Sequence, residues 1–136
     1  MTALWITNSS GEVLLARRHR SKVTHPLLWG PTVAGNVDEG ETYKMNIVKE
    51  AGEELGPKNI HPELGPHVKV VDSYHYFVQW YTLQADIELR DMTIQVDEVE
   101  EIRWFAVSEM KKCIHDQPEE FLPAMNTCIG LFCPAT

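Results

Sequence analysis

The stretch GNVDEGETYKMNIVKEAGEELG, Gly35 to Gly56, constrains this chain more than any other. From Tyr43 to Leu55, the residues Met45, Ile47, Val48, Ala51 and Leu55 recur at mixed three- and four-residue spacings, which predicts an amphipathic helix with one face on a core. Gly56 followed by Pro57 is the expected stop signal. The same spacing makes Glu50, Glu53 and Glu54 neighbours on one helical face, with Lys49 among them and Glu41 in the loop that feeds the helix. Like charges three and four residues apart repel and destabilise a helix. Either the face is a solvated one, or a cation draws the carboxylates together. Hard oxygen ligands of this kind suit Mg2+ or Mn2+, leaving coordination positions for water and for a substrate phosphate.

Around this helix the pattern is mostly strand. ALWIT (Ala3 to Thr7) and EVLLARR (Glu12 to Arg18) flank NSSG, which is turn chemistry, so they predict a hairpin. Residues 19–31 contain two prolines and a glycine with no period and read as a loop, and TVAGN (32–36) reads as a short strand entering the acidic stretch. Residues 67–87 are rich in Val, Tyr, Phe and Trp and predict one long bent strand or two paired ones. EIRWFAV (101–107) is a further strand. Ser108 is the expected N-cap of a helix through about Ile114, and a last helix is expected to start near Pro118, with Pro123 in its first turn or at a kink. No repeat, low-complexity segment or linker interrupts the chain, so one α+β domain is expected over residues 1–136.

Composition narrows the function classes. A net charge of −8 argues against nucleic acid as a partner, since phosphate backbones are met by basic patches, and it suits a bound divalent cation. No apolar run reaches the roughly 18 residues of a membrane span. The first residues carry no basic segment followed by a long apolar one, so the cytoplasm is the expected compartment. Cys113, Cys128 and Cys133 lack CxxC spacing and read as reduced thiols, and the six histidines show no HxxxH or HExxH pattern. Arg17, Arg18, Arg20 and Lys22 are candidates to meet substrate phosphates. Trp29, Tyr74, Tyr76 and Trp80 are candidates to stack on a base, although strand aromatics are more often core.

Counted from Gly35, the fixed positions run Gly, five spacers, Glu41, seven spacers, Lys49, Glu50, Ala51, one spacer, Glu53, Glu54, one spacer, Gly56. This resembles the Nudix box, with Lys49 in place of the family arginine and Pro57 in place of the hydrophobic residue after the last glycine. The resemblance covers most of the chain. It implies an α/β/α sandwich around a mixed sheet, with the box as a loop, helix, loop unit. It also implies hydrolysis of a nucleoside diphosphate linked to another group, with divalent cations. Carried onto this chain, Glu50, Glu53 and Glu54 are the expected metal ligands, with the Ala34 backbone carbonyl as a further one, and Glu53 or another of them handles the attacking water. Glu41 is expected to position Lys49, and Gly35 is an expected substrate contact together with Arg17, Arg18 and Trp29. A lysine supplies the arginine's charge without its planar fork. Glu98 and Glu101 are the candidates for a distant glutamate drawn in as ligand or base.

LLARRHRSKVTHPLLWGPTVAGNV and EEFLPA further resemble the branch of the superfamily nearest isopentenyl diphosphate isomerase. The isomerase cysteine falls on Ala34 and its acidic strand motif on SYHYFVQW, which has no carboxylate, so a hydrolase on an isomerase-like scaffold is the expectation. A domain that binds a nucleotide or protein without cleaving it is the alternative, supported by Lys49 and opposed by the full acidic set. Nudix domains usually carry more chain ahead of the first strand. A short version would leave a sheet edge open, and with it a homodimer is expected.

Overall fold

Apolar residues alternate along the first strands, and the two sets they form face opposite layers. The computed structural model describes residues 1–55, 61–71 and 75–134. Seven strands, β1 (Thr2–Thr7), β2 (Glu12–Arg18), β3 (Trp29–Pro31), β4 (Val33–Gly35), β5 (Glu63–Val71), β6 (His75–Gln84) and β7 (Val99–Ala106), form one mixed sheet. The order is β3-β2-β1-β6-β5, with β4 on β1 and β7 on β2. β1 and β6 run parallel and the other pairs antiparallel. In β1, Ala3 and Trp5 point to one face and Leu4 and Ile6 to the other; in β2, Val13 and Leu15 oppose Leu14. Each face therefore needs its own cover.

Helix α1 (Tyr43–Leu55) closes the face of Leu4, Ile6 and Leu14 through Ile47, Ala51 and Leu55, all fully buried. Helices α2 (Val107–Asp116) and α3 (Ala124–Phe132) close the other, where Trp5 stacks on Phe132 with centroids 4.9 Å apart and an interplanar angle of 11°. The result is the expected three-layer α+β sandwich. α1 and β2 have the bounds read from the pattern, and the aromatic segment resolves into two paired strands, β5 and β6. The turn at NSSG is held by Asn8, whose Oδ1 accepts the backbone N–H of Ser10 and Glu12 at 3.1 and 2.9 Å, with Gly11 at φ +77°.

Several expectations are corrected. Residues 29–31 are a strand, because Gly30 and Trp29 find partners on β2 at Ala16 and Arg17. Ser108 lies inside α2, whose N-cap is Ala106, with no side-chain capping bond. The last helix begins at Ala124; residues 118–120 form a separate 3-10 turn and Pro123 precedes the helix, where its missing N–H costs nothing. In α1, Met45 and Val48 are 56% and 41% exposed while Asn46 is fully buried. β1 lies inside the sheet, bonded to β6 on one side and to β2 and β4 on the other, so it offers no open edge. Gly56 and Pro57 lie outside the described residues, as does Tyr74. Among the described residues no helix is long and apolar enough to cross a membrane.

The cysteines are free in the structure. Burial pushes the Cys128 thiol up to about 12 and raises that of Cys133, while Cys113 is half-buried. Since the thiolate is the reacting form, a maleimide is expected to label Cys113 in the folded protein and Cys128 only after denaturation, with one adduct per native chain by intact mass.

Candidate active site

Register places the box. Gly35, Thr2, Gln79 and His67 form one row across four strands, β4, β1, β6 and β5. α1 lies across this row, and residues one turn apart on its flank meet successive strands. The Tyr43 ring is 6.1 Å from that of His67, Asn46 bonds Thr2, and the Glu50 carboxyl lies against Gly35. A Cβ built on Gly35 would stand 2.6 Å from Glu50 Cδ. That is why glycine ends β4: only a bare Cα lets the carboxylate approach the strand so closely.

The loop before α1 is tied by its own polar groups. Glu41 Oε1 accepts the Asp38 N–H at 2.8 Å and the Asn46 Nδ2 at 3.2 Å, and Glu41 Oε2 takes Lys49 Nζ at 2.9 Å. Lys49 also reaches Asp38 Oδ2 at 3.3 Å. Asn46 Nδ2 donates to Asn36 O at 2.9 Å, while its Oδ1 accepts from the Thr2 hydroxyl. Thr42 Oγ1 caps the first turn by accepting the Met45 N–H at 3.1 Å. The Asp38 N–H bond and then Lys49 lower the Glu41 carboxyl below its ordinary value, and Glu41 raises Lys49 in return. Asn46, Asp38 and Thr42 are thus structural members of the site that sequence reasoning missed. The available signal was a polar residue at an inner helical position.

The other carboxylates behave oppositely. Burial, then the charge of Glu53, raises Glu50; burial, followed by Glu50, Glu98 and Glu53, pushes Glu54 up to about 7. Glu53 itself is exposed. Of the two distant candidates, Glu98 acts on Glu54 whereas Glu101 is paired with Arg17 at 3.6 Å. The charges of Glu50, Glu98 and Glu53 thus act on Glu54, whereas Glu101 is engaged by Arg17. Among the described residues no three His, Cys, Asp or Glu side chains are gathered closely enough to hold an ion. The donor set nonetheless fits a hard cation: burial and neighbouring negative charge raise Glu50 and Glu54, and a cation relieves both effects.

The remaining candidates separate. Ala34, in β4, is exposed, so its position is open to solvent. Arg17 Nε donates to Leu27 O at 3.1 Å, and Arg18 donates to Thr24 O and Oγ1 at 3.1 and 3.2 Å, so both are engaged with the loop after β2. Trp29 is buried and stands edge-on to Phe105 at 5.1 Å, which makes it a core residue rather than a substrate contact; Trp80 is core for the same reason. Tyr76 is 37% exposed. A surface cavity of about 580 Å3 along α2 shares no residue with the carboxylate site.

Comparison with known proteins agrees with this geometry. A model of the NUDIX domain matches residues 1–125. An uncharacterized Nudix hydrolase of Listeria innocua is 31% identical over 87% of this chain and 68% of its own length. Isopentenyl-diphosphate Delta-isomerase of Corynebacterium diphtheriae is 24% identical over 89% of this chain and 70% of its own. Among solved structures, DR0079 from Deinococcus radiodurans superposes with a TM-score of 0.80 over 96% of this chain and 81% of that one, at 20% identity. The chain belongs to the Nudix family. It is an enzyme of the Nudix hydrolase class, acting on diphosphate bonds, on a MutT-type scaffold with isomerase relatives.

Proposed function

We propose that this protein hydrolyses the diphosphate linkage of a nucleoside diphosphate joined to another group, with Mg2+ or Mn2+ held by Glu50, Glu53 and Glu54. The observation that carries the reading is the Glu50 carboxyl laid on the bare Cα of Gly35, with Glu53 and Glu54 beside it on the same helical flank. A divalent cation bound there would neutralise diphosphate oxygens and make a bound water more acidic. Glu50 and Glu54, partly buried, supply oxygens from the sheet side, and the Ala34 carbonyl adds one from β4. Glu53, exposed at the mouth, orients the attacking water and takes its proton. Glu41 and Lys49 hold the loop that sets Glu50 against Gly35, and Glu98 extends the acidic set beyond α1. A single domain over 1–136, a cytoplasmic compartment and a homodimer belong to the same reading. The dimer contact would use an edge such as β5, which bonds only β6 among the described residues.

Isomerase chemistry is set aside because Ala34 has no thiol and His75 to Trp80 of β6 contain no carboxylate. The test is a panel of nucleoside triphosphates, dinucleoside polyphosphates, nucleotide sugars and isoprenoid diphosphates, each with Mg2+, with Mn2+ and with chelator. Cation-dependent turnover of one class supports the reading; tight nucleotide binding without turnover of any compound would favour a binding module.

Lys49 gives a graded check. Lys49→Ala removes both of its ion pairs and is expected to cut kcat by about 10- to 100-fold, the usual effect of losing a group that orients metal ligands. Stability should move little, because partly exposed pairs are worth about 0–1 kcal/mol. Lys49→Arg, whose fork can span Glu41 and Asp38 together, is expected to preserve or raise the rate. A large loss with arginine would mean that the site is built around lysine.

A further inference from the structure

Where α1 begins, part of the sheet is left uncovered. Alternation in β6 turns Tyr81 and Leu83 toward the core under α1 and Val78 and Trp80 away from it, so Phe77 and Gln79 lie on the α1 side. The register sets His67 opposite Gln79, Lys69 opposite Phe77 and Val71 opposite His75, and of these six only Gln79 is buried. The His67 ring stands 5.1 Å from that of Phe77 at 34°, and 6.1 Å from that of Tyr43, the first residue of α1. Tyr43 and Phe77 are 43% and 50% exposed and belong to neither core cluster. Gln79 fixes the middle ring. Its Nε2 donates to Gly65 O and Trp80 O at 2.9 and 3.0 Å, which leaves its Oε1 to accept from His67 Nδ1 at 3.0 Å. Neutral His67 therefore carries its proton on Nδ1 and presents Nε2 as an acceptor. The one acid in β5 and β6, Glu63, pairs with Thr82 on the opposite side, so the α1 side of these strands holds no carboxylate in a chain of net charge −8.

We propose that Tyr43, His67 and Phe77, with Lys69, form a binding platform for a purine nucleotide outside the carboxylate site. The base lies on the exposed Phe77 ring with its edge toward His67, whose Nε2 accepts from an amino group of the base. The phosphate meets the Lys69 ammonium, directly across from Phe77 on the same side of the sheet. Two rings with centroids 5.1 Å apart offer a bicyclic base contacts that a single ring cannot fill. Charge selects the occupant: an anion finds a lysine there and no carboxylate on either strand, whereas a second copy would bring the same lysine and histidines to the contact. The platform is separate from the proposed cation site. Tyr43 and Glu50 are two turns, about 10 Å, apart along α1, and between them the fully buried Asn46 closes onto Thr2.

The test is calorimetric titration with AMP in the presence of chelator, which reads binding without any cation. Phe77→Leu is expected to bind AMP about tenfold more weakly, the size of one base stacked on an aromatic ring, and Phe77→Trp at least as tightly as the unsubstituted protein. Both should keep the native Tm, because half of the Phe77 side chain is already in water. Lys69→Gln should weaken AMP by about threefold and leave adenosine unchanged. Glu53→Gln should bind AMP normally, so this proposal and the hydrolase reading fail separately. The same chemistry belongs to the base end of a substrate and to a free nucleotide, and turnover distinguishes them: Phe77→Leu raises KM at constant kcat in the first case and leaves both unchanged in the second. Absence of AMP binding by the unsubstituted protein, equal binding of ribose 5-phosphate, or unchanged binding by Phe77→Leu would overturn the proposal. So would a dimer in sedimentation that Phe77→Leu dissociates, since a second copy would then cover this face.

Discussion

Gly35→Ala is expected to reduce diphosphate hydrolysis by about 100-fold or more while leaving the fold intact, because a misplaced reacting group costs on that order. The added methyl would lie 2.6 Å from Cδ, 2.7 Å from Cγ and 2.8 Å from Oε1 of Glu50, so the side chain has to leave. It can, because it is a flexible chain at the edge of α1 rather than a backbone. The loss therefore falls on the carboxylate's position and not on the sheet. Gly35 pairs with Thr2 in extended backbone, where alanine is accommodated, so stability should stay within about 1 kcal/mol. Gly52→Ala is the matched control, since a methyl added there would meet nothing within 4 Å and the residue occupies a helix interior. It should gain up to about 1 kcal/mol in stability and keep its rate. A Gly35→Ala enzyme with normal kcat, checked by circular dichroism and Tm, would mean that Glu50 does not work from the strand.

Glu53→Gln is expected to cost more, about 10^2- to 10^4-fold in kcat, the range for removing a positioned acid or base. Glutamine keeps the shape and removes both the charge and the proton acceptor. Among the described residues the Glu53 side chain forms no hydrogen bond or ion pair, so this substitution should change stability by no more than about 0.5 kcal/mol. Its exposure separates chemistry from folding more cleanly than Glu50 or Glu54 allows, as both are partly buried and shape the flank of α1. A drop in kcat with unchanged Tm is the expected pattern.

How much of this was legible beforehand depended on where each residue's partners lie. α1 from Tyr43 to Leu55 and β2 from Glu12 to Arg18 were readable to the residue, because their periodicity and their end signals are local. The placement of Glu50, Glu53 and Glu54 along α1, with Glu41 in the loop ahead of it, was readable for the same reason. β3 was not: Trp29, Gly30 and Pro31 have no strand pattern, and they pair only because β2 lies beside them. The helical stripe was misread at Met45 and Val48, since α1 rests on the sheet by the narrow row Ile47, Ala51 and Leu55 and gives its flank to Asn46, Glu50 and Glu54. Asn46 was invisible as a structural node because its partners are Thr2, Asn36 and Glu41, brought together only by folding. Sorting Glu98 from Glu101 likewise required folded partners: Glu101 faces Arg17 across β7 and β2, while Glu98 meets Lys22 in the loop after β2. Trp29 shows the opposite limit, an exposed-looking tryptophan in a loop pattern that the sheet takes into its core.

The most direct measurement of the central claim is 31P NMR of the product mixture from whichever diphosphate the substrate panel shows to be turned over, with the unsubstituted protein and Glu53→Gln side by side. The expected spectrum with Mg2+ shows loss of the resonances of the cleaved P–O–P linkage and growth of those of its two phosphate-bearing products (two phosphomonoesters for a nucleotide sugar), with no change in the presence of chelator or in the Glu53→Gln sample. Conversion that proceeds equally with Glu53→Gln, or that ignores the chelator, would contradict a cation site on Glu50, Glu53 and Glu54.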